Sequence, residues 1–205
     1  MDAVILCGGE GTRIRHLLPE GTPKCMADIN GTPFLAILAD YLFRSGFNKL
    51  ILATGYGHDA LYQCVMDTIL LSRVEFSMET KPLGTAGAIR KAALLIKSDD
   101  FLVVNGDTFC DVDYEAMLAY HKITNSIITV ACDSQFRHVG TFVASRRFVD
   151  LIPEEDKGKI DMAEVFTLLG QRHEPVGWFM TEAPFYDIGD EAGLKRLRKF
   201  IRFYR

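Results

Sequence analysis

Residues 6–13 read Leu-Cys-Gly-Gly-Glu-Gly-Thr-Arg and stand directly behind the apolar run of residues 3–6. Gly8, Gly9 and Gly11 remove side chains and permit positive φ, so consecutive backbone N–H groups can face an anion, and Arg13 adds a cation at the far edge. That is how a backbone approaches a polyphosphate. The stretch lacks the lysine of a GxxxxGK[ST] loop and the third glycine of GxGxxG, and two glycines alone are an ordinary strand-to-helix turn. Lys24 follows Pro23 in an otherwise uncharged stretch, where a solvated lysine is the plain alternative.

Three further positions carry chemistry. Glu79 closes an apolar run, and Gly84 and Gly87 open the segment behind it; small residues there let a flat ring lie against the backbone while the carboxylate accepts from ring N–H groups. Guanine offers two adjacent donors on its Watson–Crick edge, whereas uracil and thymine flank one donor with carbonyls that repel a carboxylate, so Glu79 leans toward GTP. A solvated strand-end glutamate is the alternative. Asp107 and Asp187 each end a strand-like run, and two carboxylates together with phosphate oxygens and water suit Mg²⁺. Either aspartate alone is more often a cap or a turn residue.

These residues need strands and helices to bring them together. Strand-length runs at residues 3–7, 49–54, 74–79 and 101–107 alternate with segments of helical period at 34–45, 59–71 and 85–97, a βαβ pattern that predicts a parallel sheet. Gly46 marks the end of the first helix. A helix at 113–123 follows, then strands at 126–132 and 140–145, a short helical piece ending near Pro153, a helix at 162–170, a strand near 177–180 and a terminal helix. The polar run 153–159 reads as a surface turn.

At 205 residues the chain suits one domain with a substantial core, a nucleotide-binding half (1–125) and a reduced acceptor-binding half (126–205). A net charge of -4 argues against a nucleic-acid partner, and no apolar run is long enough to span a membrane. Asp2 stands where a signal peptide would carry basic residues, which points to the cytoplasm. Five scattered cysteines without a CxxC pair read as free, mostly buried thiols.

Taken in order, residues 6–13, Pro23-Lys24, residues 82–89, residues 105–108 and residues 186–190 resemble the sugar-1-phosphate nucleotidyltransferases, also called nucleotide-sugar pyrophosphorylases. The likeness covers residues 1–125 and about 140–195; residues 30–56 and 105–113 look most like the branch that transfers guanylate to heptose 1-phosphates. The resemblance implies a Rossmann-like α/β fold with a mixed, mostly parallel sheet flanked by helices. It also implies the reaction of an NTP with a sugar 1-phosphate to give NDP-sugar and pyrophosphate. Carried over by position, Arg13 and Lys24 neutralise phosphate charge, and Asp107 and Asp187 hold Mg²⁺. Leu6, Gly8, Gly9, Gly11, Thr12, Glu79, Pro82, Gly84 and Thr85 take the nucleotide.

The acceptor side departs from the family. The excursion of strands that usually carries a Glu-Lys pair is cut to residues 135–139. His138 stands where Asn is usual, two residues before Gly140, and reads either as a donor to the acceptor or as a solvated loop histidine. Met162 falls where a glutamate is expected, leaving Asp161 and Glu164 as substitutes. This leaves a nucleotide-binding regulatory module, another NTP, or a smaller non-sugar phosphate acceptor as alternatives. The basic segment 194–205 reads as a docking helix, with a membrane-surface or anionic-partner role as the alternative. An apolar helix face could pair subunits into a homo-oligomer.

Overall fold

The structure is a computed structural model, and it describes residues 1–66, 72–154 and 158–202. The expected alternation of strands and helices is there. Strand β1 (Asp2–Leu6) is followed by a small hairpin of β2 (Asp28–Ile29) and β3 (Thr32–Pro33), helix α1 (Phe34–Arg44), β4 (Lys49–Thr54), α2 (His58–Met66), β5 (Val74–Met78) and α3 (Gly84–Ala92). Then come β6 (Asp100–Asn105), β7 (Thr108–Cys110), α4 (Tyr114–Ile123), β8 (Ile128–Cys132), β9 (His138–Ser145) and α5 (Arg146–Asp150). The chain ends with α6 (Met162–Gln171), β10 (Val176–Met180), β11 (Phe185–Asp187) and α7 (Glu191–Ile201).

Seven strands form the central sheet in the order β10-β8-β9-β6-β1-β4-β5, and β7 pairs with β11 in a separate ribbon. Only β9 runs against its neighbours, pairing antiparallel with both β6 and β8, so the sheet is mixed and mostly parallel as expected. Successive side chains of a strand point to opposite faces. Ala3 and Ile5 therefore join the core beneath α1, α2, α4 and α7, while Val4 joins a second core beneath α3, α5 and α6. Helices cover both faces, which is why the inner strands are apolar throughout rather than alternating.

Some boundaries differ from the sequence expectation. Helix α3 starts at Gly84 and ends at Ala92, because residues 93–95 tighten into a 3₁₀ turn that returns Ile96 to the core. The second helix runs from His58 to Met66; the remainder of the expected span, 67–71, lies outside the described residues, as do 155–157 and 203–205. His138 is not in a loop: it is the first residue of β9 and pairs with Cys132 across a register shift. Gly46, at φ 90°, follows the Ser45 cap of α1 as expected.

Candidate active site

After β1 the chain crosses to β4 and β5 on one side, then returns to lay β6 on the other side of β1. Open α/β sheets bind ligands at the carboxyl ends of strands where such a reversal occurs. A cavity of about 900 Å³ opens there, lined by residues 6–12, Lys24, Glu79, Pro82, Gly84, Thr85 and Asp107 among others. The turn is anchored at its base: Cys7 N–H donates to the Ala53 carbonyl at 2.7 Å and Gly106 N–H to that of Leu6 at 3.0 Å. Of the three turn glycines only Gly11 lies at positive φ, 60°, and a Cβ there would sit 2.9 Å from Lys24 Cβ. Gly11 thus lets the turn close on Lys24, while Gly8 and Gly9 leave their backbone open to the cavity.

Charge converges at one end. The Lys24 ammonium lies 2.6 Å from Asp107 Oδ2 and 3.8 Å from Asp187 Oδ1. The strands explain this meeting: β7 and β11 pair Thr108 with Asp187, and Ile188 N–H donates to the Asp107 carbonyl at 2.9 Å, so the two carboxylates arrive on adjoining chains. Gly189 shows where Arg13 enters. A Cβ at that position would fall 2.7 Å from Asp187 Oδ1, 2.8 Å from a terminal Arg13 nitrogen and 3.1 Å from Lys24 Nζ. Arg13, Lys24 and Asp187 therefore meet around a single point that only glycine leaves clear.

The opposite end is built on the start of α3. Glu79 Oε2 accepts the Leu83 N–H at 3.0 Å, and Oε1 lies 3.3 Å from where a Gly8 Cβ would stand. The carboxylate is therefore fixed in orientation beside the glycine turn. The Ile160 carbonyl accepts the N–H groups of Ala86 and Gly87, and Ile160 N–H donates to Leu83 at 2.8 Å. These bonds satisfy helix-start donors that would otherwise be orphaned. Gly84 has φ 76°, and a Cβ there would be 2.5 Å from the Ile160 oxygen. Its smallness serves this close backbone crossing, a need that the flat-ring reading of the sequence did not include.

Leu6, Thr12, Pro82, Thr85 and Asp161 also line the cavity; Arg13, Asp187, His138, Gly140 and Glu164 are not among its lining residues. His138 Nδ1 accepts the Gly140 N–H at 3.2 Å, which ties the ring to its own strand, and Gly140 packs on Thr108, next to Asp107. Met162 packs against the second core, leaving Asp161 at the cavity wall. Tyr56, Lys81 and Lys159 also line the cavity, and the sequence reading did not select them. Tyr56 sits between two glycines just past a strand end, a detectable signal, and the Arg15 guanidinium stacks 4.8 Å from its ring centroid. Cys7 and Cys25 lie under the turn in mutual contact, and that contact with burial pushes the Cys7 thiol well above its usual range. Among the described residues no cluster of three or more metal-ligating side chains occurs. Two carboxylates suffice for Mg²⁺, which keeps waters and takes substrate oxygens, so the donor set fits that ion.

Fold and site together define a doubly wound α/β protein with a charged cavity at its switch point. The chain belongs to the nucleotidyl transferase family, which matches residues 2–140. It is 38% identical over 131 residues to a D-glycero-alpha-D-manno-heptose 1-phosphate guanylyltransferase of Campylobacter jejuni, covering 64% of this chain and 57% of that protein. It is 39% identical over 126 residues to a mannose-1-phosphate guanylyltransferase catalytic subunit beta of Xenopus tropicalis, covering 60% of this chain and 35% of that one. The chain thus spans less than two thirds of the length of these curated relatives. Its backbone superposes on HddC from Yersinia pseudotuberculosis complexed with GMP-PN with a TM-score of 0.82 at 29% identity, covering 98% of this chain and 99% of that one.

Proposed function

We propose that the protein transfers a nucleotidyl group from GTP to a sugar 1-phosphate, releasing pyrophosphate, and that the acceptor is a heptose 1-phosphate. The observation that carries this reading is the meeting of Arg13, Lys24, Asp107 and Asp187 beside a glycine turn at the switch point. The guanylyltransferase relatives support the base and the acceptor class.

Displacement at phosphorus needs no side-chain nucleophile; it needs positioning and charge compensation. The acceptor phosphate oxygen attacks the α-phosphorus in line and pyrophosphate departs. The N–H groups of residues 8–11 cradle the triphosphate, and Arg13 and Lys24 offset the charge that builds at the reacting oxygens. Leu6, Thr12, Pro82, Gly84 and Thr85 form the walls around the nucleoside. Glu79, oriented by the Leu83 N–H, faces the two donors of guanine with its carboxylate. Asp107 and Asp187 would hold Mg²⁺, which supplies electrostatic stabilisation of the phosphate oxygens when bound. On the acceptor side Asp161 takes hydroxyls, with His138, Gly140 and Glu164 in supporting positions. Residues 1–125 serve the nucleotide and 126–205 the acceptor within one domain.

Among the described residues no helix is long and apolar enough to cross a membrane, and Cys7, Cys25, Cys110 and Cys132 carry free thiols. Free thiols suit a reducing compartment, which supports a cytoplasmic site of action.

The test is Mg²⁺-dependent pyrophosphate release from GTP, CTP, UTP, dTTP and ATP, each with hexose and heptose 1-phosphates, repeated with the metal chelated. Release with GTP and a heptose phosphate, lost on chelation, is expected. Release with a different base would remove Glu79 as the reader of guanine. Nucleotide binding without release from any pair would overturn the transferase reading in favour of a binding module.

A further inference from the structure

Among the described residues of the C-terminal half, only Lys159 and Asp161 line the cavity. Both are exposed, and they flank Ile160, whose side chain is 1% exposed and packs in the second core. Ile160 is pinned to the start of α3 through its N–H and its carbonyl. With the residue between them turned inward and fixed, the neighbours at i−1 and i+1 are carried to the cavity wall. Lys159 is therefore delivered there by the same backbone crossing that requires glycine at position 84.

The reading given above requires a phosphate monoester dianion to enter a cavity that already holds a triphosphate. That pairing needs a further cation. Lys24 already faces Asp107 and Asp187, and Arg13 stands outside the lining, beside the point over Gly189 where Asp187 and Lys24 also arrive. Lys81 and Lys159 are the lining cations without an ion pair among the described residues. Lys81 belongs to the turn that carries Glu79 and Pro82, on the nucleotide side. Lys159 belongs to the half that remains for the acceptor, beside a carboxylate suited to sugar hydroxyls.

Resting on that reading, we propose that Lys159 binds the phosphate of the acceptor and sets its affinity. An ammonium is a compact point charge with three donors, suited to a phosphate monoester.

The experiment is steady-state kinetics of the full chain with Mg²⁺, GTP and heptose 1-phosphate or mannose 1-phosphate, comparing wild type with Lys159→Met and Lys159→Arg. Lys159→Met should raise the KM for the sugar phosphate about tenfold or more, as expected for loss of a charged hydrogen bond. The KM for GTP should stay within about twofold, which also reports an intact fold, and Lys159→Arg should recover most of the loss. An unchanged acceptor KM, or a rise confined to GTP, overturns the proposal while leaving the transferase reading standing. If the wild type turns over no pair, that reading fails, and calorimetric titration with inorganic phosphate decides for Lys159. Binding weakened about tenfold by Lys159→Met supports it as an anion site, and binding equal in both proteins, or none in either, overturns it.

Discussion

At the scale of single residues, charge placement decides what the cavity can do. Lys24 is held between two carboxylates, and Arg13 reaches the same point from the glycine turn, so neither cation is interchangeable with a mobile surface lysine. Preorganised charges of this kind are worth far more in a partly enclosed site than in water. Arg13→Ala should lower kcat about 10²-fold to 10³-fold, while circular dichroism and the melting temperature stay near wild type because Arg13 is exposed. Turnover within a few-fold of wild type would remove Arg13 from the mechanism. Glycine at 189 has an equally specific cause, since any side chain would intrude on Asp187, Arg13 and Lys24 together.

At the scale of elements, two junctions matter. The first is the crossing of Ile160 over α3. Gly84→Ala adds a Cβ against the Ile160 backbone at a φ that L residues adopt at a cost, a change worth roughly 1–3 kcal/mol. The variant should melt earlier and also show a raised acceptor KM, because Lys159 and Asp161 ride on the displaced segment. A lower melting temperature with acceptor kinetics unchanged would separate that crossing from the site. The second junction is α4 against β8, where buried His121 Nδ1 lies 2.7 Å from Thr129 Oγ1 and Nε2 lies 3.6 Å from Asp100 Oδ1. Burial lowers the His121 pKa, against the opposing pull of Asp100. The folded state therefore binds fewer protons than the unfolded chain just below the ordinary histidine value of about 6.5. This contribution to stability is complete above that value and is lost as pH falls from it toward the lowered folded-state pKa. Urea denaturation at pH 5 to 7.5 should show wild type losing stability relative to His121→Gln on acidification; parallel curves would rule out His121 as the cause.

Across the whole molecule, the strand that carries Asp187 is backed by the last helix. Leu194, Leu197 and Ile201 of α7 are buried in the first core, and Phe200 stacks on Tyr186 with centroids 4.7 Å apart, directly beside Asp187. The apolar side of this basic helix is therefore committed to the fold, as the docking reading of the sequence expected. Arg198 donates to the Asp28 carbonyl at 2.8 Å, which ties the helix back to the β2–β3 hairpin that follows Lys24. Leu197→Ala should cost about 2–5 kcal/mol of folding stability, and activity should fall at temperatures well below the new midpoint because the strand bearing Asp187 loses its support. Full activity in the destabilised variant would show that β7 positions Asp187 without α7.

The sequence by itself determined the alternation of the main strands and helices and the glycine turn, because these are written in local pattern, apolar periodicity and turn composition; Lys24, Asp107 and Asp187 stood out from plain surface or turn residues only through the ordered set of motifs that resembles the family. Tertiary structure alone decided how those charges meet, through the pairing of β7 with β11 and the clearance over Gly189. It also gave Gly84 its reason and brought Lys159 out of what reads as a polar surface turn. Both depend on a contact between residues more than seventy positions apart, and no local pattern encodes the partner of a backbone crossing. Nor could spacing reveal that His138 is held within β9, since its environment is set by the strand opposite and not by its neighbours in the chain.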